Sequence, residues 1–188
     1  MSKLIILNGA SGAGKTFLLE KISHAHEKMA PVKKLTTRTP REYEGANTSE
    51  DLIFNCDEKE IDNCKYNYSF NNEGYGIMEK DIEGALKNQK YPVVIVRDYP
   101  TIIALKKQYK SLTFYIQSVY NVNELKMRLI NQGRNKVDVS KSIEKNKKNF
   151  DDYIKYLRQD IFDRIIVNYY DDTFMQQVEY FLEKDIQI

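Results

Sequence analysis

The sequence predicts an α/β fold built on a doubly wound parallel sheet. Two observations support this fold class. Short apolar runs alternate along the chain with longer segments of helical periodicity. The runs are nearly continuous in apolar residues, which is typical of parallel strands that are covered on both faces. Crossover connections between parallel strands are right-handed, so this alternation predicts helices on both sides of one sheet.

The predicted strands are the five short apolar runs. They are Leu4–Leu7, Val32–Thr36, Val93–Val96, Thr113–Ile116 and Arg164–Val167. The predicted helices are longer and follow these strands in the chain. They are Lys15–Met29, Glu79–Asn88, Pro100–Gln108, Asn123–Asn131, Ser140–Gln159 and Asp171–Glu183. Pro100 suits the first turn of a helix, because the N–H that proline lacks has no helical partner there.

A glycine-rich motif joins the first predicted strand to the first predicted helix. It reads G-x-x-x-x-G-K-[ST], in the strand–turn–helix context that a phosphate-binding P-loop requires. Glycines let the backbone N–H groups approach oxyanions, and the helix N-terminus adds its dipole. The sequence therefore predicts a P-loop NTPase-type site for a nucleoside triphosphate, against the alternative of an ordinary glycine turn. Its residues are Gly9, Ala10, Ser11, Gly12, Ala13, Gly14, Lys15 and Thr16.

The last two residues of this motif have distinct expected roles. Lys15 is expected to reach the terminal phosphates of the nucleotide, and the Thr16 hydroxyl is expected to ligate Mg²⁺. We also expect Lys15 to be partly exposed, so that replacing it changes the stability of the fold very little.

Composition narrows the function classes. The 188 residues include 29 Lys+Arg and 27 Asp+Glu, a net charge of +2 that gives no global field favouring nucleic acid or membrane. No apolar stretch approaches the length of a membrane span, and no signal-peptide pattern is present. Cys56 and Cys64 do not make a disulfide framework. We therefore expect a cytoplasmic protein. The P-loop motif, and not the composition, makes small-molecule nucleotides its expected partners.

Two segments interrupt the alternation of strands and helices. Residues 37–78 hold turn formers, short apolar pieces and tyrosines, which predicts a small inserted subdomain with short strands. Residues 132–142 are basic and contain glycine, as either a mobile lid over phosphates or an ordinary solvated loop would. We predict a single domain over 1–188, with a core formed by 1–36 and 79–188.

A second motif follows the second predicted strand. Residues 36–44 read T-T-R-T-P-R-E-Y-E, and two arginines stiffened by Pro40 can converge on one phosphate. Alone, this pattern also fits an exposed basic turn. Following a P-loop, the order T-T-R-x-P-R-x-x-E resembles the guanylate kinases. The resemblance covers nearly the whole chain through the pieces Asp51–Phe54, Tyr75-Gly76, Asp98, Arg128-Leu129, Gly133, Ile165–Asn168 and Asp171-Asp172.

The resemblance implies an ATP- and Mg²⁺-dependent nucleoside monophosphate kinase with a small inserted acceptor-binding subdomain and a lid. It assigns the acceptor phosphate to Arg38, Arg41 and Tyr75, and the orientation of their loop to Glu44. Asp98 would read the acceptor or hold a Mg²⁺ water, against the alternative that it caps the following helix. The implied catalytic cations are Lys15, Arg38, Arg41, Arg128 and Arg134, and each lid cation is alternatively a solvated charge.

The departures from the family pattern cluster in the acceptor site. Leu52 replaces a tyrosine that binds phosphate in the family, and of the residues that read the base only Asp98 is matched. Lys34, Leu52 and Ile77 stand where the family has hydroxyl side chains, and its base-reading glutamate falls unmatched near Tyr66 or Asn67. In the lid, the family's second arginine falls near Asn146. Phosphate handling is thus predicted to be kept while base reading is changed.

Two alternatives therefore stay open. One is a kinase of another phosphorylated acceptor, such as a sugar phosphate. The other is a non-catalytic binding module of the kind found in scaffolding proteins, against which the complete P-loop counts.

Overall fold

The computed structural model describes residues 2–40, 51–70, 72–119, 122–131, 133–156 and 160–186. The strands are β1 Leu4–Gly9, β2 Met29–Pro31, β3 Lys34–Thr36, β4 Leu52–Ile53, β5 Tyr66–Phe70, β6 Glu73–Ile77, β7 Tyr91–Ile95, β8 Ser111–Ser118 and β9 Arg164–Asn168. The helices are α1 Lys15–Ala25, α2 Glu58–Asp62, α3 Glu79–Lys87, α4 Tyr99–Gln108, α5 Val122–Asn131, α6 Lys136–Tyr156 and α7 Asp172–Ile186.

The strands form two sheets. A five-stranded sheet has the order β2-β7-β1-β8-β9, and a four-stranded sheet has the order β4-β3-β6-β5. In the larger sheet β1 and β2 pair with β7 in parallel, and β8 pairs with β9 in parallel, with Ile5 beside Val93 and Ile116 beside Ile166. All six residues of β1 are buried, as expected for a parallel strand with both faces covered. The predicted α/β fold with a doubly wound parallel sheet is confirmed.

The chain divides into two compact units. The first unit comprises Met1–Leu7 and Thr16–Leu112, and the second comprises Asn8–Lys15 and Thr113–Ile188. The first unit contains the four-stranded sheet, in which β3 pairs with β4 in parallel and with β6 antiparallel. The second unit contains the glycine-rich loop together with α5, α6, α7 and β9.

The second predicted strand, Val32–Thr36, is wrong as a single element. Met29–Pro31 belongs to the five-stranded sheet, whereas Lys34–Thr36 belongs to the four-stranded sheet. The Val32 N–H still donates to Val93 O, and the Lys34 N–H already donates to Asp51 O. The chain therefore exchanges one sheet for the other within two residues, and an apolar run does not reveal that exchange. The predicted helix Lys15–Met29 is also too long, because α1 ends at Ala25 and Met29 is the first residue of β2.

The loop interpretation of residues 132–142 is wrong from Lys136 onwards, because α6 begins there. The Asn135 side chain accepts a hydrogen bond from the Asp138 N–H at 2.9 Å, as an N-cap does. Val139 and Ile143 then pack against Leu125 and Leu129 of α5. Asparagine at the cap and apolar residues four apart were the sequence signals for this helix.

Among the described residues, no helix combines the length and the apolar character that crossing a membrane requires.

Candidate functional site

The glycine-rich loop, residues 9–14, connects β1 to α1. Gly9 and Gly14 have φ values of 144° and 101°, which residues other than glycine rarely adopt. A Cβ at Gly9 would lie 2.4 Å from Ile116 O, and one at Gly14 would lie 2.6 Å from Asn168 Nδ2. The loop thus needs glycine at these positions both for its conformation and for its close packing inside the second unit.

Side chains of the second unit hold the loop by its carbonyl groups. Five consecutive carbonyls, those of residues 9–13, each accept a side-chain hydrogen bond. Lys15 Nζ donates to Gly9 O and Ala10 O, Asn146 Nδ2 to Ser11 O, Tyr170 Oη to Gly12 O and Asn168 Nδ2 to Ala13 O. In a trans peptide the N–H points opposite to the carbonyl, so these anchors fix the direction of the loop N–H groups as well.

Lys15 is 6% exposed, so the expectation that it is partly exposed is wrong. Its ammonium donates to Gly9 O at 2.8 Å and to Ala10 O at 2.5 Å. The sequence shows a lysine directly after the last glycine, but it does not show that the loop folds over its side chain.

Thr16 lies in the first turn of α1 and is exposed. Among the described residues, no group of three or more His, Cys, Asp or Glu is placed to hold a metal ion. A hydroxyl at this position fits Mg²⁺, which keeps several waters and takes phosphate oxygens where the protein supplies few ligands.

The two predicted lid arginines are half-buried within the second unit. Arg128 stacks on Tyr170, with 3.7 Å between its guanidinium carbon and the ring centroid. Arg134 Nη1 donates to Ser142 Oγ at 3.2 Å. Tyr170 thus contacts both the loop carbonyl of Gly12 and a lid arginine, and sequence reasoning missed it. Asn168 is named by the family resemblance, whereas Tyr170 carries no sequence signal.

The first unit contains the predicted acceptor residues. Arg38 follows β3, is 8% exposed, and places its guanidinium carbon 4.7 Å from the centroid of the Phe54 ring. Its N–H donates to Thr36 Oγ1 at 3.2 Å, which fixes the turn that carries it. Arg41 and Glu44 lie outside the described residues. Their roles stay predictions.

Tyr75 on β6 is fixed from two sides. Its hydroxyl donates to Glu73 Oε2 at 2.9 Å, and its ring stacks on Tyr68 with 5.2 Å between centroids. Burial raises the pKa of Tyr75, so its hydroxyl keeps its proton at neutral pH and remains a donor.

Asp98 caps α4. Its Oδ2 accepts hydrogen bonds from Thr101 N at 2.8 Å and from Thr101 Oγ1 at 2.7 Å. The capping alternative is therefore present in the geometry, and the role of Asp98 towards the acceptor stays a prediction.

Three of the departures from the family pattern lie in one row across the four-stranded sheet. Lys34 on β3 pairs with Leu52 on one side and with Ile77 on the other, and Ile77 pairs with Tyr66. Cross-strand partners lie on the same face of a sheet, so the four side chains are neighbours. All four are buried, and Lys34 is 3% exposed. These replacements, which lie far apart in the sequence, are therefore neighbours on one buried face of the four-stranded sheet.

Lys34 places an ammonium group inside this row. Its Nζ donates to Ile95 O and lies 3.9 Å from Asp51 Oδ2. Burial lowers the pKa of Lys34 to about 8; Asp51 opposes this shift, and the positive charges of Arg97 and Arg38 add to it. Arg97 itself stacks over Phe70 at 5.5 Å. Lys34, Arg38 and Arg97 thus each lie over a ring of one cluster of packed side chains, which contains Phe54, Tyr75 and Phe70. Sequence reasoning missed Arg97.

Comparison with known proteins assigns the fold and the family. The structure superposes on the crystal structure of guanylate kinase from Anaplasma phagocytophilum with a TM-score of 0.63 and 14% sequence identity. The match covers 100% of this chain and 96% of that chain, which shows the same fold. The guanylate kinase family model matches residues 1–185, and the chain therefore belongs to the guanylate kinase family. A search of the curated proteins found no match.

The resemblance inferred from the motifs is thereby confirmed. Family and fold together support a guanylate kinase-like nucleotide kinase, a class that generally uses ATP and Mg²⁺.

The buried ammonium of Lys34 generates a pH prediction. Between pH 8 and pH 10.5 the unfolded lysine keeps its proton while the folded one loses it, so the free energy of unfolding rises with pH. Compared with Lys34→Met, the wild-type protein should gain up to about 3 kcal/mol across this window. Urea unfolding of both proteins at several pH values measures the difference. A difference that stays constant or falls with pH would contradict the buried, charged Lys34.

Proposed function

We propose that the protein transfers the γ-phosphoryl group of ATP to the phosphate of a nucleoside monophosphate. The observation that carries this proposal is the glycine-rich loop, whose carbonyls are held by side chains so that its N–H groups have fixed directions. Fixed N–H groups bind phosphate oxygens without paying to order a loop. Membership of the guanylate kinase family supports the same reaction.

The donor side of the proposed reaction uses the loop and Lys15. Phosphoryl transfer needs in-line positioning and neutralisation of the equatorial oxygens rather than covalent chemistry by the protein. The loop N–H groups and the Lys15 ammonium would hold the β- and γ-phosphates. Mg²⁺, held by Thr16, would supply neutralisation of the phosphate oxygens. Arg128 and Arg134 would cover the phosphates and exclude water, which otherwise hydrolyses ATP.

The acceptor side uses Arg38, Arg41 and Tyr75 to hold the attacking phosphate. A phosphate monoester has its second pKa near ~6, so its oxygen is already anionic at neutral pH and no general base is required. Arg38 supports this role because its guanidinium is held by a stacked ring and so needs little ordering. The Tyr75 hydroxyl, whose one proton is donated to Glu73 Oε2 in the structure, would leave that bond to donate to the same phosphate.

The row Leu52–Lys34–Ile77 supports a changed acceptor base. The N1–H and 2-amino group of guanine are donors and need acceptors opposite them. Leucine and isoleucine offer no hydrogen bond, and an ammonium group only donates. Each unpaired donor costs about 1–3 kcal/mol. This row also favours the second candidate, a kinase of a phosphorylated acceptor without guanine, such as a sugar phosphate.

A substrate screen tests the proposed function. Production of ADP from Mg²⁺-ATP is measured with GMP, dGMP, AMP, CMP, UMP and common sugar phosphates. We expect acceptor-dependent turnover in which GMP is not strongly preferred, because losing two or three contacts lowers specificity by roughly 30- to 10⁴-fold. A preference for GMP of more than about 10³-fold would show an ordinary guanylate kinase, and no turnover with any acceptor would favour the binding module.

Lys15→Ala should abolish phosphoryl transfer. It removes both the charge at the phosphates and two hydrogen bonds within the loop, so unfolding should also become easier by about 1–3 kcal/mol. ADP production and thermal unfolding measure the two effects. Lys21→Ala, which removes an exposed lysine of the same helix, is the control and should retain full activity. Near wild-type turnover by Lys15→Ala would contradict the role of the loop.

Arg38→Lys should weaken use of the acceptor and leave the binding of ATP unchanged. Lysine keeps the charge but loses the planar fork that holds a phosphate by two hydrogen bonds. Acceptor KM should rise about tenfold, since a charged hydrogen bond contributes about 1.5–3 kcal/mol. Arg164→Lys is the matched control, because Arg164 pairs with Asp185 and has no proposed role. Equal losses for ATP and acceptor would contradict the assignment.

A further inference from the structure

Asn146 on α6 is hydrogen-bonded to the glycine-rich loop through both the oxygen and the nitrogen of its side-chain amide. The Ser11 N–H donates to Asn146 Oδ1 at 2.6 Å, and Asn146 Nδ2 donates to Ser11 O at 3.1 Å. This pair of bonds fixes the orientation of the amide, since the reversed amide would place donor against donor. The contact joins residues 135 positions apart within the second unit.

This contact differs from the other anchors of the loop in one respect. Lys15, Asn168 and Tyr170 hold the loop by donating hydrogen bonds to its carbonyl groups. Asn146 also accepts from a loop N–H. This group, the Ser11 N–H, belongs to the glycine-rich loop, whose N–H groups are the hydrogen-bond donors to phosphate oxygens in a P-loop.

A carboxamide oxygen and a phosphate oxygen compete for that single N–H. The phosphate oxygen carries charge, and hydrogen bonds to charged acceptors are about twice as strong as neutral ones. A bound phosphate oxygen therefore replaces Asn146 Oδ1 as the acceptor of the Ser11 N–H, and the hydrogen bond to Asn146 Oδ1 breaks.

We propose that Asn146 is a further residue of the donor site that competes with the triphosphate for the Ser11 N–H. Binding of the triphosphate releases the amide oxygen and loosens the middle of α6 from the loop. This inference rests on the proposed function, because it needs a triphosphate at the loop.

The rest of α6 does not depend on this contact. Its first turns are held by the Asn135 cap, by Arg134 bonded to Ser142, and by Val139 packed on α5. Removing the Asn146 side chain should therefore leave the helix folded, which makes the competition measurable.

Titration calorimetry with Mg²⁺-ATP tests the proposal on the wild-type protein, Asn146→Ala and Asn146→Asp. Asn146→Ala removes the competitor and should bind ATP about threefold to tenfold more tightly. Asn146→Asp places a carboxylate on the same N–H and should bind at least about tenfold more weakly. Ser140→Ala, a neutral change at an exposed position of α6, should bind as the wild type does.

Amide hydrogen exchange gives a second readout. Exchange in residues 143–150 should rise when ATP binds the wild-type protein, and should already be raised in Asn146→Ala without nucleotide. Thermal unfolding checks that each variant is folded.

Weaker or unchanged ATP binding by Asn146→Ala would overturn the proposal, because it would make Asn146 a support of the loop or an irrelevant neighbour. A wild-type protein that binds no ATP would overturn the proposed function along with it. A wild-type protein that binds ATP but transfers no phosphate would overturn the proposed function alone.

Discussion

The anchoring of the loop carbonyls is the constraint on which the proposed phosphate site in the second unit depends. A glycine-rich loop is conformationally free, and the freedom that lets its N–H groups face a ligand also makes them costly to order. Here Asn146, Asn168 and Tyr170 remove that freedom from distant parts of the chain. The glycines of the motif allow the loop many backbone conformations, and hydrogen bonds from other parts of the second unit stabilise one of them.

The first unit, which holds the proposed acceptor residues, has a buried ammonium group beside its aromatic cluster. Lys34 is held by Ile95 O and Asp51, beside the stacked rings of Tyr68 and Tyr75. A buried lysine with a lowered pKa destabilises the fold unless its hydrogen bonds offset the loss of water. Such a group supports the proposed change of acceptor more than a loss of catalysis, because Arg38 keeps a rigid environment.

The sequence was sufficient for the parts that local chemistry determines. Apolar runs predicted the core strands, and the motif predicted the loop between β1 and α1. It was insufficient where two sheets share one run, as at Val32–Thr36, because periodicity reports burial and not the identity of the sheet. Contacts such as Tyr170 with Gly12 O, 158 residues apart, are set by tertiary packing and have no local signal.

The central claim is that fixed N–H groups of the glycine-rich loop bind the triphosphate. Amide NMR of the isotope-labelled protein, titrated with Mg²⁺-ATP and in parallel with adenosine, tests it most directly. The account predicts that ATP shifts the amide signals of Ser11, Gly12, Gly14 and Lys15 strongly, and that adenosine leaves them in place. Equal shifts with both ligands, or shifts confined to other parts of the chain, would contradict it.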